Sequence, residues 1–274
     1  MGIRINTNVA AINTRRNLYN STIQFQKSME KLSSGLRINR AADDASVLAI
    51  SEGLKSDIRA LEQASRNASD GISLVQTAEG ALSEVSNILL RMKELAEQSL
   101  NGTLSDTERG YLDAEYTELT NEIDRIAQSA EFNGNQLLDG TGGSVSIQVG
   151  ISTNAYDSIA VDLTTNRDSA TLGLAAGVDS SANATTAMGQ IDTAIETISS
   201  ARSDFGAIQN RLESSVRNIN NTAENLSAAN SRIRDVDVAL ETSKMTSYQI
   251  LQQAGVSVLA QANMTTGLAI SLLG

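Results

Sequence analysis

The 274-residue chain contains no cysteine, histidine, tryptophan or proline, and only 3% of it is aromatic. Ordinary usage of about 5% would supply roughly 14 prolines. Without them helices meet no built-in break, and folding waits on no slow prolyl isomerisation. Lacking Cys and His, the chain has no thiol or imidazole to act as nucleophile, general base or zinc ligand. Carboxylates, lysine, tyrosine and hydroxyls are a poor set for chemistry, so the reading is a non-enzyme with no catalytic residue, cofactor or metal site. The missing thiols also leave the redox compartment unmarked. At the N-terminus, Ile3, Ile5, Val9 and Ile12 are separated by polar residues, so no apolar core of a secretory signal is formed. A chain exported from the cell would use another route.

Charge is absent from the last thirty residues, 245–274, which hold no Asp, Glu, Lys or Arg. Their apolar side chains fall on more than one helical face. One seam runs Leu251, Gly255, Val258, Ala262, Thr265, Ala269, Leu272, and a second runs Val256, Leu259, Asn263, Thr266, Ile270, Leu273. A helix apolar on several sides must be buried against several neighbours. Gln249, Gln252, Gln253, Gln261 and Asn263 interrupt the run, so it lacks the roughly 18–20 continuous apolar residues of a membrane span. The tail therefore reads as an assembly element that finds its apolar surroundings in protein.

The net charge of −11 is unevenly placed. Residues 1–42 carry seven Lys or Arg against Glu30 alone, whereas residues 43–163 carry seven against twenty-one acids. A basic arm on an acidic body is one signature of nucleic-acid binding. Here Arg4, Arg15, Arg16, Lys27, Lys31, Arg37 and Arg40 are dispersed among apolar residues, with Tyr19 and Phe25 as the arm's only aromatics. The pattern is that of a solvated or salt-bridging helix, and no nucleic-acid or membrane partner is expected.

Periodicity predicts a first helix near Asn6 to Ser33, with Ile5, Val9, Ile12, Arg16, Tyr19 and Ile23 on one stripe, broken at Gly35. Asp43 or Asp44 then caps a very long second helix, and these paired acids are capping groups rather than a metal dyad. Its seam passes through Leu54, Ile58, Leu61, Ala64, Ala68, Ile72, Val75, Ala78, Leu82, Val85, Leu89, Met92 and Ala96. A mean step of about 3.5 is the coiled-coil period. At about 1.5 Å per residue, residues 44–99 span on the order of 80 Å, which predicts an elongated rod. Asn101-Gly102 turns the chain, and Ser105 with Glu108 forms a capping box opening a third helix that doubles back. Phe132-Asn133-Gly134 ends it. The alternating runs Val145-Ile147-Val149 and Ile159-Val161-Leu163 read as a hairpin with its loop at 153–158. Residues 164–187 read as a surface segment, and a last long helix starts near Met188 with Ile191, Ile195, Ile198, Phe205, Ile208, Leu212, Val216 and Ile219 on its seam. The acids Asp235 and Asp237 read as caps within reach of Arg37 or Arg40.

Three stretches carry a family likeness: residues 5–13 (INTNVAAIN), 31–45 (KLSSGLRINRAADDA) and 231–242 (SRIRDVDVALET). They resemble the terminal signatures of bacterial flagellins, in the family's order and at both ends of the chain. The resemblance implies a mainly α fold: a rod of long antiparallel coiled-coil helices with a small β-hairpin, and both termini paired in an inner helical domain. It divides the chain into residues 1–42, the N-terminal part of the inner domain; 43–163, two helices and the hairpin of an outer rod; and 164–187, a variable surface segment too short to hold large outer domains. Residues 188–234 are then the C-terminal rod helix, and 235–274 the C-terminal part of the inner domain.

By the same resemblance the function is structural: the chain self-assembles into the tubular, helical filament of the bacterial flagellum, secreted to the cell exterior, for swimming motility. A junction protein between hook and filament is the runner-up. The partners implied are other copies of the chain, the flagellar export apparatus, an export chaperone at the C-terminal end, and hook-associated junction and cap proteins. The residues expected to carry self-assembly are Ile5, Val9, Ile12, Ile23, Leu251, Val258, Leu259, Ile270, Leu272 and Leu273. Residues 90–98 (LRMKELAEQ) are also similar to the stretch that animal flagellin-sensing Toll-like receptors bind in some family members. That likeness places an innate-receptor epitope at Arg91, Glu94, Leu95 and Glu115.

Overall fold

The computed structural model describes residues 7–271. In chain order its elements are α1 (Val9–Ser34), α2 (Ala45–Ser99), α3 (Asp106–Ser129), β1 (Glu131–Phe132), β2 (Asn135–Gln136), β3 (Ser144–Gln148), β4 (Ser158–Asp162), α4 (Ser181–Arg234) and α5 (Val238–Ser271). The fold is mainly α, with two small antiparallel strand pairs. Contacts divide it into two units, one made of residues up to Ser56 with those from Asn225, the other of Asp57–Glu224.

In the second unit α2 and α4 run antiparallel, because partners rise along one helix as they fall along the other. Lys93 Nζ meets Asp192 at 2.6 Å, Arg202 Nη2 meets Glu79 at 3.0 Å, and Ser65 Oγ reaches Asn220 at 3.5 Å. The predicted seam of α2 is the core: Ala68, Val75, Ala78, Leu82, Val85, Leu89, Met92 and Ala96 are completely buried. From α4, Ala184, Ala187, Ile191, Ala194 and Leu212 are equally enclosed. Alternation of alanine with leucine or isoleucine lets large side chains fill the space beside small ones, each large side chain contributing about 1.5–3 kcal/mol on burial.

The turn into α3 is tied by Arg109, whose Nε donates to the Ser99 carbonyl at 2.9 Å and Nη2 to that of Asn101 at 3.1 Å. Both halves of the Ser105–Glu108 capping box form. The hydrogen bond from the Ser105 backbone N–H holds the Glu108 carboxyl below its ordinary pKa. Beyond α3 the chain makes an extra feature. Asn133 at φ 50° and Gly134 at φ 79° form a tight turn that pairs β1 with β2, where the sequence reading had only a helix end. The larger hairpin forms as expected; its register, which alternation alone left open, sets Val145 opposite Val161 and Ile147 opposite Ile159. Gly71 of α2 leaves room for the Ile147 side chain; any Cβ there would collide with it.

Residues 164–180 differ from the surface segment that their composition suggested. Leu172, Leu174 and Val178 are buried, and side chains of distant elements hold the backbone down. Asp124 accepts from Ser169 N at 2.7 Å and Oγ at 3.0 Å, and Asp113 accepts from Val178 N at 2.7 Å. Gln190 accepts from Ala175 and Ala176 at 3.2 and 3.0 Å. α4 begins at Ser181, ahead of the expected Met188, because Ala184 and Ala187 already extend its buried seam.

Candidate assembly surface

The other unit is built on the pairing of α1 with α5. Asn8 caps α1 by accepting from Ala11 N at 3.0 Å, and Gly35, at φ 72°, closes it in the left-handed conformation that a side chain disfavours. Asp44 opens α2 by accepting from Ser46 and Val47 at 3.1 and 3.0 Å, while Asp237 opens α5 by accepting from Leu240 N at 3.0 Å. Asp43 folds back on the amides of Asn39 and Arg40. The Arg40 amide above all, helped by Lys31 and Lys27, holds its carboxyl below the usual range.

Between α1 and α2, Arg37 N donates to the Arg234 carbonyl and Arg37 Nη2 to that of Ile233, both at 2.6 Å. Arg40 pairs with Glu30 at 2.8 Å. The expected pairing of these arginines with Asp235 or Asp237 is thus not formed: Asp235 accepts from Ser231 Oγ at 2.7 Å, and Asp237 is occupied as a cap. Carbonyls at a helix C-terminus compete for guanidinium groups as effectively as carboxylates that are already satisfied locally.

Along the pair, Asn8 Nδ2 donates to the Ala262 carbonyl at 2.8 Å, Gln252 Nε2 to Thr22 Oγ1 at 3.4 Å, and Ser28 Oγ to Glu241 Oε1 at 2.7 Å. Low numbers meet high ones, so the helices are antiparallel. Gly255 faces Leu18, and an added Cβ would stand 3.2 Å from the leucine Cδ1. Burial works against charge on Glu241, yet the Ser28 hydrogen bond, Lys244 and Lys31 outweigh it and keep the carboxyl below its ordinary pKa.

What this pair leaves uncovered is the informative part. Among the described residues, Ile38 is the one hydrophobic side chain of the unit that is buried. Val9 is 55% exposed, Ile12 51%, Leu251 53% and Val258 55%. Ile23 and Leu259, from the same stripes, are half-buried. Ile5, Leu272 and Leu273 lie outside the described residues, as does the side chain of Ile270. Tyr19, Met29, Ile50, Val238, Leu240, Ile250, Val256 and Met264 add to the exposed apolar surface. Ile50, Val238 and Leu240 were not singled out from the sequence because they stand off every periodic seam. α5 carries apolar side chains around its circumference and offers no single greasy face. Among the described residues no helix is long and apolar enough to cross a membrane.

In the second unit, Arg91 sits between two carboxylates, with Nε and Nη2 at 3.0 and 2.8 Å from Glu115 Oε1, and Nη1 at 3.0 Å from Glu94. The bond to Glu115 first, and then that to Glu94, raise the arginine's pKa further. These three groups share an exposed surface. Leu95 does not join them; it is 1% exposed, inside the core.

Comparison with known proteins gives concordant matches. The bacterial flagellin N-terminal helical region matches residues 5–143, and the bacterial flagellin C-terminal helical region matches residues 188–273. The chain is similar to a flagellin of Halalkalibacterium halodurans, 49% identical over 271 residues that cover 98% of this chain and 99% of that one. It is likewise similar to the flagellar filament 33 kDa core protein of Treponema phagedenis, 44% identical over 98% of this chain and 99% of the relative. Among solved structures, Bacillus cereus flagellin superposes with a TM-score of 0.52 at 38% identity, covering 60% of this chain and 94% of that one.

Proposed function

The chain belongs to the bacterial flagellin family and is a structural subunit of the flagellar filament, and we propose that its two ends are the parts that lock subunits together. The carrying observation is the α1–α5 pair, whose surface presents Val9, Ile12, Leu251, Val256 and Val258, all more than half exposed among the described residues. An apolar area of that extent is stable when other copies bury it, and repetition of one heterologous contact generates a helical polymer.

In this reading residues 1–42 and 235–274 form the inner domain, residues 43–163 and 188–234 the outer one, and residues 164–187 are the place where relatives vary. Val9, Ile12, Ile23, Leu251, Val258, Leu259 and the remaining terminal Leu and Ile residues make the subunit contacts. The chain catalyses nothing, binds no cofactor or nucleic acid, and acts outside the cell. On its way there it engages the export apparatus and a chaperone at its C-terminal end, and in place it abuts the hook-associated junction and cap proteins. Arg91, Glu94 and Glu115 serve lateral packing between subunits, and the same charged group is what a flagellin-sensing Toll-like receptor would meet. Reporter cells exposed to the wild type and to Arg91→Ala separate those two roles.

Electron microscopy after seeding the purified protein with filament fragments tests the main reading. Thin tubes are the expected outcome, and persistent monomers would overturn it.

A further inference from the structure

The chain holds two Asn-Gly pairs, Asn101-Gly102 and Asn133-Gly134, and all four residues are exposed. Such a pair carries a reaction of its own. Glycine has no side chain to shield its backbone nitrogen, which can therefore reach the side-chain carbonyl carbon of the asparagine before it. Identical in sequence, the two pairs are held very differently by the fold.

Asn101 is anchored through five hydrogen bonds. Its N–H donates to the Gln98 carbonyl at 3.1 Å, and its own carbonyl accepts from Leu104 N at 3.2 Å and from Arg109 Nη2 at 3.1 Å. Its side-chain oxygen accepts from Thr103 N at 3.2 Å and Thr103 Oγ1 at 3.0 Å. Swinging the side chain over Gly102 N breaks at least the last two. Asn133 has no such ties. Among the described residues nothing bonds to its side-chain amide or to the Gly134 N–H. Leu137 N donates to the Ala130 carbonyl at 2.9 Å, so by alternation Phe132 and Asn135 close the ladder and the two loop residues face solvent. Both loop residues have positive φ, 50° and 79°. Ring closure must draw Asn133 out of that left-handed conformation. β1 and β2 are two residues each, so opening the turn disturbs little else.

We propose that Asn133 is a site of spontaneous deamidation, chosen over Asn101 by the fold. Hydroxide removes the Gly134 amide proton, and the nitrogen attacks Asn133 Cγ. The N–Cγ bond forms, the Cγ–Nδ2 bond breaks, and the side-chain nitrogen leaves as ammonia. Water then opens the cyclic imide. Cleavage of its bond from the Gly134 nitrogen to Cγ gives aspartate, and cleavage of the bond to the main-chain carbonyl gives isoaspartate; neither step is a redox change. Each product adds a carboxylate beside the exposed Glu131. Isoaspartate also lengthens the main chain by a methylene, which a two-residue turn of this hand does not accommodate.

Peptide mapping by mass spectrometry on the full-length wild type, aged in neutral and in mildly alkaline buffer, reads both sites in one sample. Conversion at Asn133 is expected to run at least about tenfold faster than at Asn101, the two Thr103 bonds accounting for that ratio. Equal rates, or a faster Asn101, overturn the proposal. The same chain unfolded in urea should lose the difference; a ratio that survives unfolding assigns it to neighbouring sequence and refutes the role of the fold. Thr103→Val should speed Asn101 by about threefold and leave Asn133 unchanged. No acceleration in that variant removes the anchoring argument.

Discussion

Ser28 Oγ donates a 2.7 Å hydrogen bond to Glu241 Oε1, joining residues 213 positions apart, and both side chains are buried. A carboxylate enclosed this way depends on its donors. Replacing Ser28 by alanine leaves one of its oxygens short of a partner, and is expected to destabilise the α1–α5 pair by about 1–3 kcal/mol. Thermal melts of the wild type and Ser28→Ala, followed at 222 nm, measure it. A melt that does not move would show the bond to be dispensable.

The same carboxylate sets an acid limit. Its pKa is held below the ordinary Glu value of 4.5, so its contribution to stability is complete above that value and is lost as pH falls through the lower folded-state pKa. Asp43 acts in the same direction from its own ordinary value of 3.8. Stability at the chain ends should therefore decline below about pH 4.5. Glu241→Gln should make the pH profile shallower, as followed by helicity between pH 6 and pH 3; an equally steep decline in that variant would assign the acid limit to other groups.

Val9→Asp and Val258→Asp place a charge on surface that the monomer leaves in water. Monomer stability should change by no more than about 0.5 kcal/mol. Assembly should suffer far more, because burial would strand the charge in an apolar contact. Sedimentation after seeded growth gives the unpolymerised fraction, expected to rise at least about tenfold for either variant. Filaments as stable as the wild type's would move the subunit contact elsewhere.

Tyr116 is 2% exposed, and its hydroxyl has no hydrogen-bond partner among the described residues. Burial first, and then the Asp113 charge, push its pKa from 10.0 to about 12. With the folded value raised, its contribution to stability is complete below pH 10 and is lost between pH 10 and about 12, at about 1.4 kcal/mol per pH unit. Tyr116→Phe should melt at or above the wild-type temperature near neutrality, since it removes an unsatisfied polar group, and should flatten the alkaline decline. A loss of more than about 2 kcal/mol at pH 7 would reveal a partner for the hydroxyl.

Much of this architecture was legible in the sequence where it rests on repetition. The α2 seam from Ala64 to Ala96 and the alternating runs of β3 and β4 are written as periods, and periods survive in a linear reading. β1 and β2 are too short for alternation to register, although Asn133-Gly134 carried the signal of a tight turn. The strap over α3 was hidden because Asp113 and Asp124 reach backbone amides far along the chain, and such pairs leave no local mark. At the candidate surface, the stripes on α1 and α5 could be named in advance. Which of their members stay uncovered could not, since Ile23 and Val9 share a stripe and only the path of the partner helix decides between them.

Apolar side chains lie on several sides of α5, while Ser28–Glu241 and Asn8–Ala262 peg one side of it to α1, so the helix is fixed in its rotation and still has oily surface left over. A lone subunit thus arrives with the orientation of its sticky side already set, and each newcomer can be added to the growing end without first rearranging itself.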